Sequence, residues 1–149
     1  MNTVLVIILV NLNEYRYLKS IEIGDDCFEN VELFKIDGLN ELKSLKIGMN
    51  SFTHCKSSDK WDNDKAMDAN RSFSILNCIE LESIEIGRYS FRDYGGFELR
   101  NLPKLSTIKI GEIGRFDDDS SNFYFSSFVV QGIIDMILLM NRSSTFEFH

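Results

Sequence analysis

Apolar and polar residues alternate along most of this chain in short runs, and the runs repeat. One pattern, Leu-x-Ser-(Ile/Leu)-x-Ile-Gly, occupies residues 18–24, 42–48 and 81–87, and returns with Thr for Ser at residues 105–111. A second, Phe-x-(Ile/Leu/Val)-x-(Asn/Gly), occupies residues 34–38, 73–77, 97–101 and 128–132. Alternation with a period of two predicts a short strand with one buried face for each run. The Gly that ends the first pattern is expected to mark a sharp turn.

The copies of the first pattern begin at Leu18, Leu42, Leu81 and Leu105, in steps of 24, 39 and 24 residues. A third landmark follows each Gly: Phe28, Phe52, Phe91 and, one residue late, Phe116. A period in the twenties predicts a solenoid, because a unit this small cannot bury its own apolar face and must stack on the next. Stacking places Leu18, Leu42, Leu81 and Leu105 in one column and Ile23, Ile47, Ile86 and Ile110 in another. Two Phe columns close the other side and take eight of the twelve Phe residues, so the aromatic content reads as core.

The pattern resembles the leucine-rich repeat family. The family pattern L-x-x-L-x-L-x-x-N-x-L falls on Leu42, Leu45, Ile47, Asn50 and Phe52 without gaps, with Phe in place of the last Leu. The other units carry Asp26, Tyr89 and Ile113 where the family has Asn. The Ser51-Phe52 and Ser90-Phe91 pairs are similar to the Ala-Phe signature of surface-antigen-type repeats of bacteria and protists. The resemblance implies a β-rich solenoid, a right-handed coil with a parallel sheet on the concave face and short strands or loops on the convex face. The chain then reads as a single domain, 1–149. Its repeats fall at about 18–41, 42–80, 81–104 and 105–135, with degenerate terminal units at 1–17 and 136–149.

The long second step places an insertion at residues 53–72. Its Lys56, Lys60, Lys65 and Arg71 balance Asp59, Asp62, Asp64 and Asp68, and it holds the only Trp, Trp61. A surface loop outside the stack is the expectation, since insertions in solenoids loop out of one face. The apolar run at residues 4–10 is too short to span a bilayer. It also lacks a preceding Lys or Arg and a good cleavage site, so it reads as a strand of a leading half-repeat rather than a signal peptide. Neither end shows a polar cap, which solenoids need. The ends are therefore candidates for end-to-end self-association, or the chain is a fragment of a longer array.

A net charge of −7 argues against nucleic acid as a partner. The odd set Cys27, Cys55 and Cys78 lacks C-x-x-C and favours a reducing, cytoplasmic setting, with Cys78 a buried thiol at the place of Leu39 and Leu102. A Cys27–Cys55 bridge and a secreted or cell-surface location form the alternative. No cofactor is expected. The two His, His54 and His149, form no nucleophile–base set, and no phosphate-binding Gly loop is present. The acids at residues 117–122 read as a solvated turn, because they lack calcium-loop spacing.

The outward positions of the first strands are Ser20/Glu22, Ser44/Lys46, Ser83/Glu85 and Thr107/Lys109. Asp25, Met49, Arg88 and Glu112 flank them. Together with Trp61, the residues Glu22, Asp25, Lys46, Met49, Glu85, Arg88, Lys109 and Glu112 form the candidate surface for a protein partner. The expectation is a non-catalytic protein-interaction module, alone or within a larger assembly. The alternatives are an extracellular adhesin or host-contact protein, as the Ser-Phe resemblance implies, and a metal-binding protein or enzyme using the 53–72 insertion.

Overall fold

The computed structural model describes residues 12–54, 68–111, 127–132 and 137–139. The chain is β-rich, with parallel sheets and almost no helix. Among the described residues one 3-10 turn, Leu12–Glu14, precedes nine strands. These are β1 (Ser20–Ile23), β2 (Leu33–Asp37), β3 (Ser44–Ile47), β4 (Asp68–Leu76), β5 (Ser83–Ile86), β6 (Tyr94–Arg100), β7 (Thr107–Ile110), β8 (Ser127–Gln131) and β9 (Ile137–Leu139). They alternate between two sheets, ordered β1-β3-β5-β7-β9 and β2-β4-β6-β8, and among the described residues neither sheet closes on itself.

Register follows the repeated motifs. Ile21 pairs with Leu45, Leu45 with Ile84 and Ile84 with Ile108, all in parallel strands. Ile23, Ile47, Ile86 and Ile110 form the companion column. In the second sheet Phe34, Phe73, Phe97 and Phe128 are backbone partners. Alternate residues therefore point between the sheets and form one core. Burying each such side chain contributes about 1.5–3 kcal/mol. The rings confirm two Phe columns. Phe28, Phe52 and Phe91 stack at 5.2 and 4.7 Å, Phe34, Phe73 and Phe97 at 5.0 and 5.1 Å. Edge contacts at 5.1 and 4.8 Å join the columns through Phe34–Phe52 and Phe73–Phe91.

Several details differ from the expectations. Gly24, Gly48, Gly87 and Gly111 are not left-handed. The left-handed residues come later, at Asp26, Asn50 and Tyr89, then at Phe28, Phe52 and Phe91. Gly48, Gly87 and Gly111, though not Gly24, are needed because successive turns lie backbone to backbone. A Cβ on Gly87 would stand 2.5 Å from the carbonyl carbon of Gly48, and one on Gly111 would stand 2.7 Å from the Arg88 nitrogen. The Asn/Gly alternation closing the second pattern does reflect φ, since Gly38, Asn77, Asn101 and Gly132 are all left-handed.

The first unit is less buried than its motif suggests. Leu18, Ile21 and Ile23 are only partly buried and Phe28 is 42% exposed. Among the described residues, no strand lies outside β1 to cover them. At the other end, β9 adds a fifth strand although residues 136–140 do not reproduce the motif, with Ile108 opposite Leu138.

The insertion is also shorter than residues 53–72. Thr53 is buried, residues 68–72 belong to β4, and Arg71 is fully buried rather than part of a solvated loop. Opposite β6 the register shifts between Asp68 and Ser72, which accommodates the extra residues of β4. Trp61, Glu112, the run at residues 4–10 and the acids at 117–122 lie outside the described residues.

Candidate interaction surface

Strand alternation puts Glu22, Lys46, Glu85 and Lys109 in one row on the outer face of the first sheet, beside a row of Ser20, Ser44, Ser83 and Thr107. The charges pair between neighbouring units. Lys46 Nζ lies 3.6 Å from Glu22 Oε1, and Lys109 Nζ lies 2.9 Å from Glu85 Oε1. A third pair, Lys104–Glu80 at 2.6 Å in the turns that precede β7 and β5, repeats the spacing of 24 residues. Such exposed pairs contribute about 0–1 kcal/mol each, and the two acids and two bases of the row cancel formally.

The flanking candidates divide. Met49 is 41% exposed and Arg88 is exposed beside it in the turn region. Asp25 instead has a structural task, because its Oδ1 accepts the Met49 N–H at 2.7 Å. The Ser column beneath these turns does similar work. Ser51 Oγ donates to the Gly24 carbonyl at 2.9 Å and accepts from the Cys27 N–H at 3.2 Å. Ser90 Oγ donates to the Gly48 carbonyl at 2.6 Å and accepts from the Ser51 N–H at 3.0 Å. The Ser of the Ser-Phe pair thus ties each turn to the one before it.

A buried polar cluster lies near the starts of β4 and β6 in the second sheet. Arg71 Nη1 donates to Asp93 Oδ2 at 2.7 Å, and Nη2 donates to the carbonyls of Glu29 and Val31 at 2.6 and 3.0 Å. Its guanidinium lies 4.8 Å from the ring centroid of Tyr94, whose hydroxyl donates to Val31 O. Burial pushes the Tyr94 phenol well above its ordinary range, and the neighbouring Arg71 charge opposes this without reversing it. Asp93 Oδ2 also accepts the His54 N–H at 3.4 Å. The Asp93 carbonyl accepts the Asp68 N–H at 2.9 Å. Asp93 therefore holds both ends of the segment between His54 and Asp68. The net-neutral composition of the insertion gave no sign of this; the signal lay in Arg92-Asp93-Tyr94, three consecutive residues that the repeat pattern does not require.

Cys27 and Cys78 are free thiols. Cys78 is fully buried, as its place in the repeat predicts, and burial raises its pKa. Among the described residues, no group of three His, Cys, Asp or Glu side chains is arranged to hold a metal ion, and no helix is long and apolar enough to cross a membrane.

Comparison with known proteins adds no family. No protein-family model matches the chain, and no curated protein or solved structure matches it.

Proposed function

We propose that this chain is a non-catalytic protein-interaction module, a solenoid of leucine-rich-repeat type whose first sheet presents its outer face to a polar segment of a protein partner. The observation that carries the reading is the continuous outward row Glu22–Lys46–Glu85–Lys109, held in register beside small hydroxyl side chains. Small residues leave backbone-level access along the strands, and alternating charges give a register that a complementary partner can read.

The test is affinity capture from native lysate with wild-type protein and with the charge-swapped variant Glu22→Lys, Lys46→Glu, Glu85→Lys, Lys109→Glu. The swap keeps each ion pair and the net charge but inverts the pattern. A partner held by the wild type and lost by the variant, at equal melting temperature, supports the reading. Identical capture by both proteins removes this face as the site.

A further inference from the structure

We propose that the outer face of the second sheet is a two-fold interface on which a second copy of this chain docks. Burial alternates along β2, β4 and β6, so every second residue of these strands stands away from the core. Leu33 on this face is 38% exposed, and the Lys35 and Arg100 side chains are 48% and 51% exposed.

Register sets the outward residues in level rows across the three strands. Lys35 lies level with Ser74 and Glu98, and Asp37 with Leu76 and Arg100. Leu33 lies level with Ser72 and Gly96. β4 is the middle strand of the three. A two-fold axis laid along it brings β2 of one copy over β6 of the other and keeps every row at its level. That single operation matches all three rows. Lys35 meets the second copy's Glu98, and Asp37 meets its Arg100. The exposed Leu33 meets its Gly96, where no side chain competes for the space. On the axis itself β4 faces its own copy with two Ser and a Leu, so no like charges meet. In a two-fold interface each contact occurs twice, once from each side.

Charge favours a second copy over other occupants. Within one copy Lys35 pairs with Asp37 at 3.5 Å, and Arg100 pairs with Glu98 at 2.7 Å. The signs run in opposite order on the two strands and sum to zero, so a uniformly acidic or basic partner gains nothing. Docking joins the pairs into rings of alternating charge, and a network of this kind contributes more than isolated surface pairs. The footprint spans two strand spacings of about 4.8 Å and five residues of about 3.3 Å each. This is small beside the roughly 800 Å² per partner of a stable complex, so the dimer is reversible and depends on concentration.

The test is sedimentation equilibrium of the full chain from micromolar to millimolar concentration, for wild type, Lys35→Glu, Glu98→Lys and an equimolar mixture of the two variants. The wild type should pass from monomer to dimer. Lys35→Glu sets an acid against the second copy's Glu98, and Glu98→Lys sets a base against its Lys35. Each variant alone should therefore associate at least about tenfold more weakly. In the mixture the two introduced charges face each other, as do the native Lys35 and Glu98, so association should return to the wild-type level. Damage to either variant's fold would not produce that rescue. A wild type that stays monomeric at every concentration overturns the proposal and leaves the face to a different partner. Association of either variant as tight as wild type also overturns it, as does a mixture no tighter than its components. Neither substitution touches the outward row of the first sheet, so the outcome is independent of the proposed function.

Discussion

Arg71 and Asp93 form a buried ion pair, with Nη1 2.7 Å from Oδ2 and neither side chain more than 5% exposed. Removing one member of such a pair strands the other in a low-dielectric site. Arg71→Met should therefore cost about 3–5 kcal/mol. The paired replacement Arg71→Met/Asp93→Leu should recover part of that loss, as urea denaturation would show. Excising residues 57–71, which restores a 24-residue step between Leu42 and Leu81, deletes Arg71 and should be strongly destabilising for the same reason. If the single variant is no less stable than the paired one, the ion pair does not bind the insertion to the core.

Gly24 and Gly87 hold the same motif position but differ in what surrounds them. A Cβ at Gly24 would find only the Cys27 sulfur, 4.0 Å away, whereas one at Gly87 would stand 2.5 Å from backbone of the preceding turn. Gly87→Ala should cost about 1–3 kcal/mol through overpacking, and Gly24→Ala should stay within about 0.5 kcal/mol. Thermal unfolding of the two variants side by side decides this. Equal losses would mean that conformational freedom, not turn-to-turn contact, selects Gly.

Tyr94 makes stability depend on alkaline pH. Its phenol is raised by burial, with Arg71 opposing, so the folded state holds the proton beyond the ordinary tyrosine value of about 10. Unfolded Tyr94 releases it near that value. Above it the folded state binds more protons, so stability falls as pH rises past about 10 and is unaffected by this group below it. Urea midpoints measured from about pH 9 to 11 should fall more steeply for wild type than for Tyr94→Phe. Parallel slopes would remove Tyr94 as the cause.

Neighbouring residues on β5 should differ sharply. Ile86 is 3% exposed and faces the core, while Glu85 faces outward toward Lys109. Ile86→Ala is expected to cost about 2–5 kcal/mol, and Glu85→Ala no more than about 1 kcal/mol. Melting shifts of similar size would contradict this assignment of faces.

The columns of Leu, Ile and Phe were legible in the chain because a stacked unit repeats its inward positions at fixed spacing. So were the buried Cys78 and the outward charged row, since both follow from alternation alone. The role of Gly was not, because close approach between turns is a property of neighbouring units rather than of any one motif. The Arg71–Asp93 pair joins residues 22 positions apart, and no local pattern marks either as buried. β9 was hidden for the opposite reason: residues 136–140 are apolar throughout and give no alternation, yet Ile137–Leu139 pair with β7. Phe28, although in the right column, remains exposed because burial depends on what lies beyond the first unit.

Parallel, in-register stacking of the repeated motifs is open to test by inter-strand NOEs in isotopically labelled protein. Backbone contacts should link Leu45 to Ile84 and Ile84 to Ile108, with Ile47, Ile86 and Ile110 as the next row. Contacts between Leu45 and Ile86 together with Ile47 and Ile84 would show antiparallel neighbours and contradict it.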